Sequence, residues 1–288
     1  MTLRVFEAFA GYGSQSLALE RLKAVHPDFD FKAVGYSEID KYAVRAYDAL
    51  HPGVRNFGDI TAIEWNTVPD FDLFTYSSPC QSISVAGRRT GMAEGSGTAS
   101  SLLWSCRRAI SIKRPGFLLM ENVPAILSKR NIGEFSKWVR FLESLGYRNY
   151  YRVVNAADYG VPQSRKRMFM VSLLKGSFSW PESFPLKRSI ADIMEPGRVP
   201  DRYWVRRERA ERMIRRCRKK QEQGCGFATA FLTPDRLSVT VTTQCGWRGT
   251  DPYIKIYEGT PDWVGDLDEW LVDGGGDTCF GDTLQERL

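Results

Sequence analysis

The sequence contains little histidine and no long hydrophobic run. Only His26 and His51 occur among 288 residues, so a Ser-His-Asp or Cys-His mechanism is poorly supplied. The six cysteines form no Cys-x-x-Cys pair, which argues against a structural zinc site and a disulfide scaffold, and we expect no metal. No apolar stretch approaches the roughly 18 residues of a membrane span, and no signal-peptide layout is present. We therefore expect a soluble cytoplasmic protein without contact with a membrane.

Positive charge is plentiful and unevenly distributed. The formal net charge is +6 and the isoelectric point is near 9.0, a balance that is compatible with a nucleic-acid partner. Much of this charge falls in residues 202–220, at Arg202, Arg206, Arg207, Arg209, Arg212, Arg215, Arg216, Arg218, Lys219 and Lys220. A solvated helix face would have the same composition, so charge alone leaves both interpretations open.

The first 174 residues alternate between strand-like and helix-like segments. Predicted strands cover 3–9, 31–37, 71–77, 117–120, 148–155 and 167–174, and predicted helices cover 14–25, 40–50, 101–112 and 131–145. Ser14 is a candidate N-cap for the first helix. Repeated βα units with continuous apolar strands predict an α/β fold with a doubly wound, mostly parallel sheet. Ligands of such sheets bind at the carboxyl ends of the strands.

The composition changes near residue 180, where proline and charge increase. We predict a first domain over 1–180, a small irregular lobe over 181–258 and a tail of uncertain structure over 259–288. A β-branched stretch at 237–243 is the strand-like part of the lobe.

Glycines follow the first predicted strand. The segment 9–14 reads Phe-Ala-Gly-Tyr-Gly-Ser, in which Gly11 and Gly13 allow the backbone to turn tightly beside a ligand. An acidic residue, Glu38, follows the second strand, where carboxylates often bind ribose hydroxyls. Each feature has a purely structural alternative: a tight turn for the glycines, and a helix cap for Glu38 or Asp40.

Three further strand ends carry reactive side chains. Cys80 follows the third strand on a loop that contains Pro79, and a cysteine at the end of a strand beside a ligand cleft is a candidate nucleophile. The structural alternative is that Cys80 is a small buried hydrophobic residue, as a lone cysteine usually is. Glu121 follows an apolar strand directly and could instead be a cap or a turn residue. Arg165 and Arg167 are two positions apart and share a face in an extended segment.

Taken together, these motifs resemble those of the DNA cytosine-5-methyltransferases in order and spacing. The resemblance covers about residues 3–174 and rests on the Phe-Ala-Gly-x-Gly turn, Glu38, Gly58-Asp59-Ile60, Pro79-Cys80-Gln81, Glu121-Asn122-Val123, the Gln163-x-Arg165-x-Arg167 segment and residues 97–104. It implies a Rossmann-like S-adenosylmethionine-dependent methyltransferase whose small lobe recognises the DNA target.

The resemblance also implies catalytic roles. Cys80 would attack carbon 6 of a flipped-out cytosine, and Glu121 would contact N3 and the exocyclic amine. Arg165 would bind the base carbonyl or a phosphate and favour the thiolate. Asn122 would orient the loop that carries Cys80, and Arg167 would form a supporting ion pair or phosphate contact.

Cofactor and DNA contacts are implied in the same way. The residues expected to bind S-adenosylmethionine, and its product S-adenosylhomocysteine, are Phe9, Ala10, Gly11, Gly13, Glu38, Ile39, Asp59, Ile60, Ser77, Pro79 and Leu102. Those expected to contact double-stranded DNA are Gln81, Ser84, Arg206, Arg209 and Arg216.

The resemblance fades after the stretch 237–243. The later motifs of the family, an Arg-x-Leu-Thr-type and a Gln-x-Gly-Asn-Ser-type segment, are not found. A second chain could supply them, and a bacterial or phage modification system with a cognate restriction endonuclease is the expected setting. Three alternatives stay open: an RNA cytosine-5-methyltransferase, a catalytically idle or split-enzyme subunit, and a nicotinamide-dependent oxidoreductase that would leave most motifs unexplained.

Overall fold

The fold is described from a computed structural model. It describes residues 2–84, 90–195, 208, 209, 212, 213, 215, 219, 231, 232, 234–240, 253 and 254. The chain divides into two compact units: the first comprises Met1–Val154 and Lys166–Pro181, and the second comprises Asn155–Arg165 and the described residues from Glu182 onward. The predicted tail at 259–288 lies outside the described residues. The predicted three-part division of the chain stays a prediction.

Six strands and four α-helices make up the described α/β framework. The strands are β1 (Thr2–Ala8), β2 (Asp30–Ser37), β3 (Leu73–Tyr76), β4 (Phe117–Asn122), β5 (Arg148–Asn155) and β6 (Lys166–Leu173). The α-helices are α1 (Ser14–Val25), α2 (Lys41–Leu50), α3 (Cys106–Lys113) and α4 (Ile132–Ser144). Short 3-10 turns occupy Trp65–Thr67, Ala99–Ser105, Pro124–Leu127, Ala156–Asp158 and Ile190–Ile193.

The six strands form one sheet in the order β2-β1-β3-β4-β6-β5. The pairs β1/β2, β1/β3 and β3/β4 are parallel, whereas β4/β6 is antiparallel. The predicted α/β fold with a mostly parallel sheet is confirmed, and β6 is the exception. In one register row, Ala8 pairs with Ser37 and Tyr76, and Tyr76 pairs with Met120. The residues that follow these four therefore emerge at the same edge of the sheet.

Aromatic side chains fill the core beneath this edge. Phe6 and Phe74 on the central strands are fully buried, and the Phe6 ring meets Trp65 edge-on at 5.2 Å between centroids. From α4, buried Trp138 meets the Tyr76 ring at 5.9 Å and donates a hydrogen bond to its hydroxyl. Rings that interlock in this way hold the strand ends rigidly, because dense packing leaves little room for movement.

Three sequence-based expectations differ from the structure. Gly13, in a left-handed conformation, is the N-cap of α1, so the prediction of Ser14 is wrong: the preceding turn places Ser14 inside the helix. The predicted helix over 101–112 starts as the 3-10 turn Ala99–Ser105 and becomes α-helical only at Cys106. Within 237–240, the structure shows one isolated bridge at Ser238, and residues 241–243 lie outside the described part.

The second unit has its own small contacts. Ile190 and Leu232 form a buried apolar pair, and a two-stranded parallel sheet joins β7 (Phe231–Leu232) to β8 (Tyr253–Ile254). The Tyr159 ring meets Phe184 edge-on at 6.1 Å. Across the described part of the whole chain, no helix is long and apolar enough to span a membrane.

Candidate active site and cofactor turn

The turn after β1 has an unusual backbone. Phe9, Gly11 and Gly13 adopt φ angles of 55°, 58° and 81°, all in the left-handed region. The turn is closed by a hydrogen bond from the Gly13 N–H to the Ala10 carbonyl, and the Ala10 N–H reaches the Ser37 carbonyl at the end of β2. We call this segment, residues 9–13, the cofactor turn after the role that the sequence predicts for it.

A carboxylate from the end of β2 lies against this turn. Glu38 accepts the backbone N–H of Gly11 at 2.9 Å through Oε2 and those of Ile39 and Asp40 at 2.8 Å through Oε1. The side chain of Asn56 accepts the Glu38 N–H and donates to the Glu38 carbonyl. The cap of α2 is Asp40, so the helix-cap alternative applies to Asp40 and not to Glu38.

Behind the turn lies a buried polar network that the sequence patterns do not indicate. Glu7, fully buried in β1, accepts the Ser16 N–H, the Ser16 hydroxyl and the Tyr47 hydroxyl at 3.0, 2.7 and 2.6 Å. Tyr47 also contacts the His51 ring, and His51 Nε2 lies 3.2 Å from the Gly13 carbonyl. These contacts link α1 and α2 to the cofactor turn through buried side chains. The sequence carries no signal for them because the partners are up to 40 positions apart.

The loop after β3, residues 77–84, carries Cys80, and we call it the nucleophile loop after the role that the sequence predicts for Cys80. Cys80 is half-buried against the main core and forms no disulfide. Its carbonyl accepts the N–H groups of Ile83 and Ser84, and the Ser82 N–H donates to the Ser100 hydroxyl at 3.1 Å. The loop is thus held by its own turn and by the 3-10 segment Ala99–Ser105.

Two side chains from other elements hold the start of this loop. Buried Asn122, at the end of β4, donates its amide N–H to the Ser78 carbonyl and hydroxyl, both at 3.2 Å. From α1, Gln15 donates to the Ser77 hydroxyl at 2.9 Å. The predicted orienting role of Asn122 has this contact as a physical basis, whereas no sequence motif singles out Gln15 or Ser78.

Glu121 is paired with an arginine of the neighbouring strand. Arg167 Nε lies 2.9 Å from Glu121 Oε1, and the two side chains are 19% and 24% exposed. The antiparallel pairing of Asn122 with Met168 brings Arg167 beside the end of β4. Arg165 belongs to the second unit, where its N–H donates to Asn155 Oδ1 at 2.8 Å. The two predicted arginines therefore have different surroundings.

The other predicted site residues differ in exposure. Ile39 is 73% exposed, Asp59 and Gln81 are exposed, and Pro79, Ser84 and Leu102 are half-buried. Ile60 is only 5% exposed and packs in the main core, and Ala10 is equally buried. Arg209 is exposed, whereas Arg206 and Arg216 lie outside the described residues. The roles of these residues toward cofactor and DNA stay predictions.

The cofactor turn and the residues that follow β2 and Gly58 carry groups that suit the adenosine part of S-adenosylmethionine. A Cβ added at Gly11 would meet no atom within 4 Å, so space lies beside the backbone there. Glu38 offers a carboxylate for ribose hydroxyls, and the exposed carboxylate of Asp59 could accept an adenine amine. The exposed side chain of Ile39 offers an apolar surface for a purine ring. The residues present therefore fit the adenosine part of the cofactor.

A glycine-containing turn, an acidic residue after β2 and a cysteine at a strand end are together the features expected of a Rossmann-like methyltransferase. The family model of the C-5 cytosine-specific DNA methylases matches residues 3–254. The chain therefore belongs to the C-5 cytosine-specific DNA methylase family and to the DNA (cytosine-5)-methyltransferase class of enzymes. The resemblance seen in the sequence is confirmed.

Individual relatives agree with the family. The Type II methyltransferase M2.ScrFI of Lactococcus lactis subsp. cremoris is 36% identical over an alignment of 259 positions, which covers 71% of this chain and 70% of the relative. The orphan methyltransferase M.SssI of Spiroplasma monobiae is 34% identical, over 67% of this chain and 64% of the relative. The chain thus spans about two thirds of each relative. The crystal structure of the S. pombe Dnmt2 methyltransferase shares the fold, with a TM-score of 0.66 and 18% identity, and the match covers 93% of this chain and 80% of that structure's chain.

Proposed function

We propose that this chain transfers a methyl group from S-adenosylmethionine to carbon 5 of a cytosine in double-stranded DNA, through a covalent bond between Cys80 and carbon 6. The carrying observation is the shared register row of the sheet. Because Ser37, Ala8, Tyr76 and Met120 lie in that row, the cofactor turn, the nucleophile loop and Glu121 all begin at one edge. A methyl donor, a nucleophile and an acid must lie together for this reaction.

Cys80 and Glu121 perform the chemistry on the base. The Cys80 thiolate adds to carbon 6, and its electron pair makes carbon 5 nucleophilic. Glu121 stabilises the adduct through a proton shared with N3 and accepts a hydrogen bond from the exocyclic amine. Carbon 5 would then take the methyl group from the sulfonium, whose S–CH3 bond breaks to leave the neutral thioether of S-adenosylhomocysteine. Loss of the carbon 5 proton to a base and cleavage of the bond to Cys80 would restore the aromatic ring. Asn122 keeps the nucleophile loop in place through Ser78.

The cofactor supplies an electrophilic methyl group on a sulfonium. Glu38 would orient the ribose, Gly11 would leave room for the methionine end, and Phe9 and Ile39 would contact the adenine. Gly13 lets the turn pack closely against His51. The three backbone N–H groups on Glu38 fix its carboxylate before the cofactor binds. A prearranged carboxylate loses little entropy on binding.

DNA contacts complete the proposal. The target carbon is stacked inside the duplex, so the cytosine is flipped out before Cys80 can reach it. Arg165 contacts the base carbonyl or an adjoining phosphate, while Gln81 and Ser84 lie near the flipped nucleotide. Arg206, Arg209 and Arg216 contact phosphates, which give affinity without sequence preference.

The decisive experiment uses labelled S-adenosylmethionine and mixed-sequence duplex DNA with three proteins: wild type, Cys80→Ser and Cys106→Ala. We expect 5-methylcytosine from wild type and from Cys106→Ala, because the Cys106 thiol is fully buried and burial raises its pKa. We expect none from Cys80→Ser. Label that persists with Cys80→Ser would refute the role of Cys80 as the nucleophile. Label on RNA but not on DNA would show that RNA is the substrate.

A restriction-modification setting is proposed as well. Its support is the relative M2.ScrFI, which is named a Type II methyltransferase. Expression in a bacterial host should protect the host DNA from one or more restriction endonucleases whose sites contain the methylated cytosine. DNA that is cut by every endonuclease tested, despite measurable methylation, would argue for an orphan enzyme.

A further inference from the structure

Ser14, Gln15 and Ser77 form a hydrogen-bonded relay between the first turn of α1 and the nucleophile loop. The Ser14 hydroxyl donates to Gln15 Oε1 at 3.0 Å, and Gln15 Nε2 donates to the Ser77 hydroxyl at 2.9 Å. The two bonds use opposite ends of one amide, so a single side chain bridges both serines.

The relay joins two parts of the site that are 62 positions apart in the chain. Gln15 stands two residues after Gly13, in the first turn of α1, so its backbone is tied directly to the end of the cofactor turn. Ser77 stands three residues before Cys80, and its N–H also reaches the Ala8 carbonyl at the end of β1. Asn122 holds the adjacent Ser78 from the other side. A displacement of the cofactor turn therefore reaches the start of the nucleophile loop through Gln15.

We propose that Gln15 is a positioning residue that couples the cofactor turn to the nucleophile loop, so that cofactor occupancy alters the environment of Cys80. This proposal rests on the proposed function for the identity of the cofactor and the nucleophile. Gln15 itself contacts neither reacting atom. It acts through Ser77, and the strength of the coupling is that of one neutral hydrogen bond, which corresponds to about two- to tenfold in an equilibrium or a rate.

The test measures the environment of Cys80 without DNA and without turnover. The rate at which iodoacetamide alkylates Cys80 is followed by mass spectrometry of the Cys80 peptide, with and without saturating S-adenosylhomocysteine. Calorimetry gives the affinity for S-adenosylhomocysteine. The proteins are wild type, Gln15→Leu, Ser77→Ala, the double variant and Glu20→Leu, which is a control at an exposed position of the same helix.

In wild type and Glu20→Leu, we expect the alkylation rate of Cys80 to differ measurably, in either direction, between the protein with and without S-adenosylhomocysteine. The ratio of these two rates is the coupling factor. In Gln15→Leu and Ser77→Ala, that factor should move toward one, about two- to tenfold, while the loss of one hydrogen bond lowers the melting temperature by only about 2–4 °C. The double variant should be no worse than either single variant, because both substitutions remove the same bond. A residue that only stabilised α1 would lower the melting temperature and leave the factor unchanged.

Each contrary result has one meaning. A wild-type factor of one, an unchanged factor in Gln15→Leu, or additive effects in the double variant would overturn the coupling while leaving the proposed function intact. Failure of wild type to bind S-adenosylhomocysteine would overturn the proposed cofactor and the coupling together. Normal binding and coupling without methylation of any nucleic acid would instead refute the proposed reaction and keep the relay.

Discussion

Two glycines of the cofactor turn differ in what a methyl group would meet. A Cβ at Gly13 would lie 2.4 Å from His51 Nε2 and 2.8 Å from the Tyr47 ring, whereas one at Gly11 would meet nothing within 4 Å. Both positions have positive φ. The left-handed backbone penalises either substitution, but only Gly13 adds a steric clash.

Gly13→Ala should therefore destabilise the protein by about 2–5 kcal/mol, and Gly11→Ala by about 1 kcal/mol. Urea unfolding measures both values, with Gly11→Ala as the matched control. Adding His51→Ala to Gly13→Ala should recover part of the loss, because it removes the nearest clash. Equal stability of the two single variants would contradict the packing described here.

The ion pair between Arg167 and Glu121 gives a second prediction at this scale. Arg167→Gln should lower kcat/KM by roughly five- to 150-fold, since loss of a half-buried partner costs about 1–3 kcal/mol. Arg167→Lys keeps the charge but not the planar Nε–H contact, so its activity should be intermediate. Steady-state methylation kinetics decide the matter. Full activity of Arg167→Gln would show that Glu121 needs no charged partner.

At the scale of one element, Asp40 links the start of α2 to pH. The N–H groups of Ala43 and Tyr42 donate to its carboxylate and hold its pKa below the ordinary value. A lowered pKa in the folded state means that the stabilisation is present above the unfolded pKa of about 3.9. It is lost as the pH falls through the lower, folded pKa.

Asp40→Asn keeps a capping side chain but cannot ionise. Wild type should therefore exceed Asp40→Asn in unfolding free energy at about pH 7, and the difference should shrink as the pH falls through the unfolded and then the folded pKa of Asp40. Urea unfolding over this range provides the test. If the difference in unfolding free energy did not depend on pH, the charge of the Asp40 carboxylate would contribute nothing to the cap.

Element bounds were predictable where local signals decide them. The bounds of α1 over 14–25 match the prediction, and α4 differs by one residue at each end, because helical periodicity is a local property. The 3-10 form of Ala99–Ser105 was not predictable, since its contacts come from the nucleophile loop. Likewise, Cys80 and Glu121 can be found from the sequence because Cys80 follows an apolar strand and Glu121 lies at the end of one. By contrast, Gln15 pairs with Ser77 only after the sheet has formed.

At the scale of the whole molecule, positive charge should govern DNA affinity. Replacing Arg206, Arg209 and Arg216 by glutamine should reduce the slope of log K against log salt by about 0.9 for each phosphate that is no longer neutralised, or about 2.7 in total. The matched control removes three exposed charges of the first unit, Arg21, Lys32 and Arg45, each also changed to glutamine. Fluorescence anisotropy from low to high salt measures both slopes. Equal slopes for the two triple variants would exclude Arg206, Arg209 and Arg216 from the DNA interface.

The central place of β1 has a consequence for the order of events during synthesis. Val5 pairs on one side with Ala33 and on the other with Leu73, which lies 68 positions later in the chain. At about 5–20 residues per second, the ribosome needs several seconds to add those positions. During that interval one edge of β1 waits without its neighbour, and such an edge attracts other strands. Slower translation between residues 40 and 72 would lengthen the wait, so the yield of active protein should depend on codon choice in that stretch.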